Sequence, residues 1–206
     1  MRPAVLLAVV PLLIATPALA QRGSPTINQS GKEFLDFAAE VNQSEIQGGL
    51  AAEKKAEAPA VRAFARLMVL DHMALESQLA AVATENGVQL PNAPSEQAKQ
   101  EMATLQGMSG AKFDAAHMQH MVQGHEQVVQ KFKSEKDQAQ SQPIEAVVAT
   151  TLPIIEQHLA LAQAVVSEIN HQATIGSAGS PNASAPASTT GGQPSSVHEP
   201  GGSSRQ

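Results

Sequence analysis

Apolar residues recur at spacings of three and four in four long segments of the chain, which is the pattern of helices with one buried face. Each apolar stripe contains one ionisable residue near its middle. These residues are Glu45, His72, His125 and His158 in chain order. The most regular stripe surrounds His158 and consists of Ile144, Val147, Ile154, Ile155, Ala162, Val165 and Ile169. The pattern therefore predicts four amphipathic helices, each with one polar residue on its buried face.

Local signals at the ends of these segments predict where each helix begins and ends. The signals are a capping box of Ser30 and Glu33 for the first helix, Pro59 and Gly87 for the second, Ser109 for the third and Pro143 for the fourth. They place the helices near residues 31–57, 59–87, 109–141 and 143–171. Each of the four ionisable residues then lies close to the midpoint of its helix, so we expect the four to form one layer at half-height.

The connections between the helices predict an all-α fold, an antiparallel four-helix bundle. The first and second helices are joined by very few residues, as are the third and fourth, so each pair is expected to form an antiparallel hairpin. Residues 88–109 join the two hairpins and contain a short predicted helix from Ser95 to Gln106. This connector either crosses the bundle, which gives the ferritin-like topology, or turns back locally, which gives an up-and-down bundle.

Both ends of the chain differ in composition from the helical region at residues 30–171. Arg2, the apolar run that follows it and the small residues before Gln21 predict a cleavable signal peptide at residues 1–20, followed by an N-terminal segment at 21–29. The protein is therefore expected in the periplasm or outside the cell, without an integral membrane anchor after cleavage, because no other segment is expected to span a bilayer. Residues 172–206 are rich in Ser, Gly and Pro and are predicted to be disordered.

Composition excludes several classes of function. The chain has no cysteine, so disulfides, thiolate metal sites and covalently attached haem are excluded. Its formal net charge of −6, without a basic stripe, argues against nucleic-acid binding. The sequence has no Gly-rich phosphate loop and no nucleophile elbow, so no nucleotide cofactor and no serine hydrolase activity are expected.

Four short stretches resemble the secreted bacterial proteins known as domain of unknown function 4142. The stretches are residues 44–51 (SEIQGGLA), 64–72 (FARLMVLDH), 121–125 (MVQGH) and 152–159 (LPIIEQHL). The resemblance implies a ferritin-like fold and supplies no reaction. The family pattern has an acidic residue before the third-helix histidine and an aromatic residue eight positions before it, where this chain has Gly124 and His117. No carboxylate is therefore expected beside His125 on its own helix.

A layer of three imidazoles and one carboxylate matches the ligands of a single metal ion. Charged groups are costly to bury unless they are paired, neutral or metal-bound. Glu45, His72, His125 and His158 suit one divalent transition-metal ion, namely zinc, iron, manganese or copper. Asp71 is placed to orient one of these ligands by a hydrogen bond, without binding the metal itself. The alternative is a hydrogen-bonded core cluster that binds no metal.

Other polar and sulfur-containing residues are expected to be ordinary parts of the fold. A ferritin-type di-iron centre needs about four carboxylates and two Glu-x-x-His pairs, and Glu168 with His171 is the only such pair. His117 and His120 are predicted to be surface or boundary residues. The methionines expected to fill the core are Met68, Met73, Met118 and Met121.

Three functions remain open from the sequence. The first is metal binding or metal sensing at the layer. The second is a non-enzymatic role in envelope interactions or stress, with a polar layer that only fixes helix register. The third is a metal-dependent redox enzyme, which is the less favoured reading because a site closed by four protein ligands leaves no position for a substrate.

Overall fold

The computed structural model describes residues 27–178, with side chains through residue 175. Over this range the chain is all-α, with five helices and no strand. The helices are α1 (Gln29–Lys55), α2 (Pro59–Glu85), α3 (Glu96–Gln106), α4 (Gly110–Gln138) and α5 (Gln142–Ala178). The four predicted long helices and the short helix in the connector are therefore all present. The predicted signal peptide and the tail beyond residue 178 lie outside the described residues.

The first helix begins two residues earlier than its capping signal predicted. Asn28 is the N-cap residue, and its side-chain oxygen accepts a hydrogen bond from the backbone N–H of Gly31 at 2.9 Å. Glu33 does not reach back to a cap, because its carboxylate accepts from Gln29 Nε2. The predicted capping box of Ser30 and Glu33 is therefore wrong, and Ser30 lies within α1.

A carboxylate from another helix caps the start of α2. The helix begins at Pro59, as predicted, but its N-cap residue Ala58 has no side chain that accepts a hydrogen bond. The backbone N–H groups of Glu57 and Ala58 instead donate to the two carboxylate oxygens of Asp114 on α4, at 3.1 and 2.6 Å. Asp114 is itself buried. Local sequence signals do not reveal this cap because its two partners are 56 and 57 residues apart.

The last helix is longer than predicted. It continues to Ala178, whereas the sequence indicated an end near residue 171 and disorder from residue 172. Of the described residues, those up to Ile169 belong to one compact unit, and those from Asn170 onward belong to a second. By length and composition alone, residues 142–175 of α5 are also apolar enough to cross a membrane. The buried face of α5 accounts for much of this apolar character.

Two hydrophobic cores, each built by the four long helices, define the directions of those helices. Core 1 consists of Phe34, Leu35, Ala38, Leu79, Val128, Val129, Phe132, Ile144, Val147, Val148, Leu152 and Ile155. Core 2 consists of Ala52, Ala56, Val61, Phe64, Ala65, Met68, Phe113, Met118, Met121 and Ala162. Along the chain, α1 and α5 run from core 1 to core 2, whereas α2 and α4 run from core 2 to core 1. Neighbours in each hairpin are therefore antiparallel.

The connector between α2 and α4 runs from one core to the other. Val88 and Leu90 pack against core 1 just after α2, and Leu105 and Met108 pack against core 2 just before α4. Between them, α3 has no fully buried residue. A local turn is inconsistent with these contacts, because α2 ends at core 1 and α4 begins at core 2.

Two adjacent glycines on α1 are predicted to respond oppositely to substitution. A Cβ at Gly49 would lie 2.8 Å from Val69 Cγ2 and 3.0 Å from the carbonyl oxygen of Ala65, so α1 and α2 approach each other there. A Cβ at Gly48 would meet nothing within 4 Å. We expect Gly49→Ala to destabilise the protein by about 1–3 kcal/mol and Gly48→Ala to stabilise it by up to about 1 kcal/mol. Urea unfolding of both variants tests this, and equal effects would contradict the close approach.

Candidate metal centre

Three histidines from three helices meet between the two cores. His72, His125 and His158 are all buried. Their ring centroids lie 5.3 to 6.3 Å apart, and one ring nitrogen from each lies within 4.8 Å of those of the other two. We refer to these three residues as the histidine cluster. Each lies near the middle of its helix, with core 1 residues toward one end and core 2 residues toward the other.

Asn42 on α1 fixes the tautomer of His72. The Nδ1 atom of His72 lies 2.8 Å from Asn42 Oδ1. The amide group of Asn42 is oriented by two further bonds, since its Nδ2 donates to the carbonyl oxygen of His72 and to Glu76 Oε2. Its oxygen therefore faces the ring, and His72 Nδ1 must be the protonated nitrogen that donates. The Nε2 atom of His72 is left with a free lone pair.

The other two rings are held in the same manner by different acceptors. The Nδ1 atom of His125 lies 2.9 Å from the carbonyl oxygen of Met121, which accepts hydrogen bonds but cannot donate. The Nε2 atom of His158 lies 3.0 Å from Asp71 Oδ2. Each ring therefore donates one N–H outward and has its second nitrogen available as a base. An amide, a backbone carbonyl and a carboxylate are the usual outer partners of metal-binding histidines.

Burial disfavours the charged forms of two histidines of the cluster, His72 and His158. Burial, followed by repulsion from His158 and His125, lowers the pKa of His72 well below its ordinary value. Burial also lowers the pKa of His158, against the opposing effect of its hydrogen bond to Asp71. Neutral imidazole is the form that binds metal ions, so protons compete little for the nitrogens of His72 and His158 near pH 7.

Two of the three available lone pairs of the cluster are buried without a protein partner. His72 Nε2 and His158 Nδ1 are both buried without a hydrogen bond. A buried acceptor without a donor costs about 1–3 kcal/mol. Two facing lone pairs can be satisfied by one water molecule or by a cation, and a cation also accepts the Nε2 lone pair of His125. The chemistry of the donor set therefore suits a metal ion.

The spacing of the three nitrogens requires a modest contraction around an ion. Three points within 4.8 Å of one another have a common point no farther than about 2.8 Å from each (4.8 Å divided by √3). Zinc binds imidazole nitrogen at about 2.0–2.1 Å. Each nitrogen therefore has to move by less than about 1 Å, which small side-chain rotations supply.

Glu45 and Asp71 occupy different positions at the edge of the cluster. Glu45 Oε1 lies 4.0 Å from His125 Nδ1, the nitrogen that faces away from the available lone pair. Glu45 is thus beside the cluster but not among its mutually closest ligand atoms. Asp71 contacts His158 and not its sequence neighbour His72, and its side chain is 39% exposed. Asn42 was missed by the sequence reading, although it lies three residues before Glu45 on the same face of α1.

Comparison with known sequences gives the chain a family. A family model matches residues 16–165. The protein belongs to the family described as Domain of unknown function (DUF4142). The match includes α1 to α4, most of α5 and every residue of the histidine cluster. No curated protein and no solved structure matches the chain significantly.

A fourth histidine of this DUF4142 chain is buried away from the cluster. His117 stacks on Phe113 with ring centroids 5.5 Å apart and an angle of 5° between the planes. Burial, with a contribution from His120, lowers its pKa to about 4. The prediction that His117 is a surface or boundary residue is therefore wrong. Residues of α3 and of α1 line the same cavity as His117, and the sequence alone did not place α3 there.

The remaining residues singled out in the sequence take ordinary positions. The side chain of His120 is 35% exposed and lies 3.9 Å from Glu101 on α3. Met68, Met118 and Met121 belong to core 2, as expected of core residues. Met73 is 55% exposed, so its assignment to the core is wrong.

Proposed function

We propose that this protein binds one divalent transition-metal ion through His72, His125 and His158. The observation that carries the proposal is the state of the three rings. Each is buried, each donates one N–H to an outer acceptor, and each has its second nitrogen free. Histidines that only fill a core do not need three free nitrogens close together. Metal-binding histidines nearly always donate their second ring N–H to an outer acceptor, as these three do. The proposed role is metal binding or sensing without turnover.

The charges around the cluster favour a divalent ion. Imidazole binds a metal ion in its neutral form, so histidine ligands contribute no charge to a metal-loaded site. Glu45 beside His125 and Asp71 bonded to His158 contribute one negative charge each when ionised. A divalent ion balances these two charges, and balance matters because unpaired charge is costly in a buried site. Zinc, iron, manganese and copper all accept imidazole nitrogen, so the ligands alone do not choose between them.

Glu45, expected from the sequence as a fourth ligand, is proposed instead to balance charge. Its carboxylate lies on the side of His125 that faces away from the available lone pairs. Coordination by Glu45 would require a rotation past that ring. We therefore propose three protein ligands and a fourth position that is not filled by the protein, which is the pattern of open zinc sites.

The proposed setting of this centre is a ferritin-like four-helix bundle exported from the cytoplasm. The crossing connector supports the ferritin-like topology, because α2 and α4 run in the same direction. The predicted signal peptide supports export, with the periplasm or the cell exterior as the location. A di-iron centre is not proposed, since the closest cluster of potential ligands among the described residues contains only histidines.

Titration of the metal-free full-length chain with zinc tests the proposal, with cobalt as a coloured substitute. We expect one ion per chain by calorimetry and a visible absorption band typical of tetrahedral cobalt. His125→Ala should abolish both signals, whereas His120→Ala should leave them unchanged. Binding that survives His125→Ala would contradict the proposal. No binding of any of the four metals would favour the alternative, a structural cluster in a non-enzymatic envelope or stress protein.

Asn42 is expected to strengthen metal binding through His72. Asn42→Ala removes the acceptor that holds His72 Nδ1–H, so the ring loses its orientation, and the zinc affinity should fall about 10- to 100-fold. Gln43→Ala is the matched control, because Gln43 bonds the same Glu76 without touching His72. Calorimetric titration measures both affinities. An affinity for Asn42→Ala equal to that of the control would show that Asn42 does not orient His72 for metal binding.

A further inference from the structure

A cleft reaches the histidine cluster from the side of core 1. The cleft is lined by Ala38, Val41, Asn42, Glu45, His72, Leu75, Leu79, His125, Val128, Phe132, Thr151 and Ile155. Its lining includes two of the three histidines and Glu45, but not His158. The cleft therefore meets the proposed metal site at the side of His72 and His125.

The polar residues of this cleft are concentrated at the cluster. On three helices the lining passes from a polar residue to an apolar one seven positions away, from Glu45 to Ala38, from His72 to Leu79 and from His125 to Phe132. Seven residues are about two helical turns, or roughly 10 Å. Outside the cluster the polar lining residues are Asn42, Glu45 and Thr151, and the first two lie beside the histidines. The cleft is thus an apolar passage with a polar inner end.

The free space in the cleft limits the size of a ligand. Its empty volume is about 430 Å³ with the open mouth included, so only a small molecule fits inside it. A bound water needs two to four polar partners, and most of the passage supplies none. A charged molecule would lose its hydration against apolar walls. A molecule of two or three atoms with little polarity meets neither penalty.

We propose that this cleft admits a small uncharged molecule of the dioxygen or nitric oxide type to the open position of the metal centre. Its apolar part holds the molecule, and its inner end presents it to the ion between His72 and His125. The claim about the metal rests on the proposed function. The claim about the apolar passage does not, because it depends only on the residues that line the cleft.

Two probes separate these claims in the full-length chain. Xenon, which occupies dry apolar cavities, should bind the metal-free protein beside Leu79, Val128 and Phe132, as seen in a xenon-pressurised crystal or by xenon NMR. Nitric oxide should then form an adduct with the ferrous protein, visible by electron paramagnetic resonance. Leu79→Phe should remove the xenon site and weaken nitric oxide binding at least tenfold, with the iron content unchanged.

Control variants make each outcome decisive. Ala38→Val narrows the same cleft by two methyl groups and replaces Leu79→Phe if that variant fails to fold. Leu67→Phe, in the periphery of core 2, should leave both probes unaffected. Absence of xenon from the wild-type cleft would contradict the proposal that the cleft is an apolar passage. Xenon binding without a nitric oxide adduct on iron-loaded protein would overturn delivery to the metal. Failure to retain iron or any other metal would overturn the proposed function, while the xenon result would still decide the passage.

Discussion

Replacing His158 with leucine is expected to abolish stabilisation by metal while leaving the metal-free protein about as stable as the wild type. The substitution removes a buried nitrogen that has no hydrogen-bond partner. Such a nitrogen costs about 1–3 kcal/mol of stability, and its removal offsets the loss of the other contacts of the histidine ring. It also removes a bond to Asp71, whose partly exposed carboxylate then turns to water. For the wild-type protein, zinc at about 1,000 times the dissociation constant of the complex should raise the free energy of unfolding by about 4 kcal/mol. This corresponds to a rise of roughly 8–16 °C in melting temperature.

Thermal unfolding with and without zinc measures this difference. His120→Leu is the control, because His120 lies outside the cluster and should retain the full gain. The opposite pattern identifies a purely structural cluster. In that case His158→Leu would destabilise the metal-free protein by several kcal/mol, and zinc would change the melting temperature of neither protein.

Acid is expected to destabilise the metal-free protein through His117. In the folded protein its pKa is lowered to about 4, whereas the unfolded chain has the ordinary value of 6.5. Above pH 6.5 the residue is neutral in both states and contributes no pH dependence. Below pH 6.5 the unfolded state binds the proton first, so the free energy of unfolding falls by about 1.4 kcal/mol per pH unit. By pH 4 the loss amounts to about 3 kcal/mol, and His72 and His158 add losses of the same sign.

Urea unfolding at pH 7 and pH 4.5 measures how much of the loss of stability in acid comes from His117. His117→Phe keeps a flat ring against Phe113 but cannot titrate. The difference in unfolding free energy between wild type and this variant should shift by about 2.5 kcal/mol between the two pH values, in favour of the variant at low pH. A difference for His117→Phe that does not change with pH would show that burial does not perturb this histidine.

Periodicity predicted the helices and the meeting of the histidines because it reports which face of a helix is buried. His72, His125 and His158 each lie on such a face near a helix midpoint, and three midpoints at one height bring the rings together. The same reasoning does not specify side-chain direction. It therefore placed Glu45 in the layer without showing that its carboxylate lies beside His125 on the side away from the available lone pairs.

The features that the sequence missed depend on contacts between distant residues. Asp114 caps α2 from another helix, so no local capping pattern marks that helix start. Asn42 holds His72 across 30 residues, and its role depends on the distance between α1 and α2. His117 is buried in a region that α3 also lines, and the path of the connector was open at the level of sequence.

Anomalous diffraction from crystals of the zinc-loaded, full-length protein shows whether the three histidines bind one metal ion. We expect a single strong peak at the zinc edge, about 2.0–2.1 Å from one nitrogen each of His72, His125 and His158. The coordinating atoms should be Nε2 of His72, Nε2 of His125 and Nδ1 of His158. A zinc-free cluster, or zinc bound only elsewhere, for example at His117 or His120, would contradict this expectation.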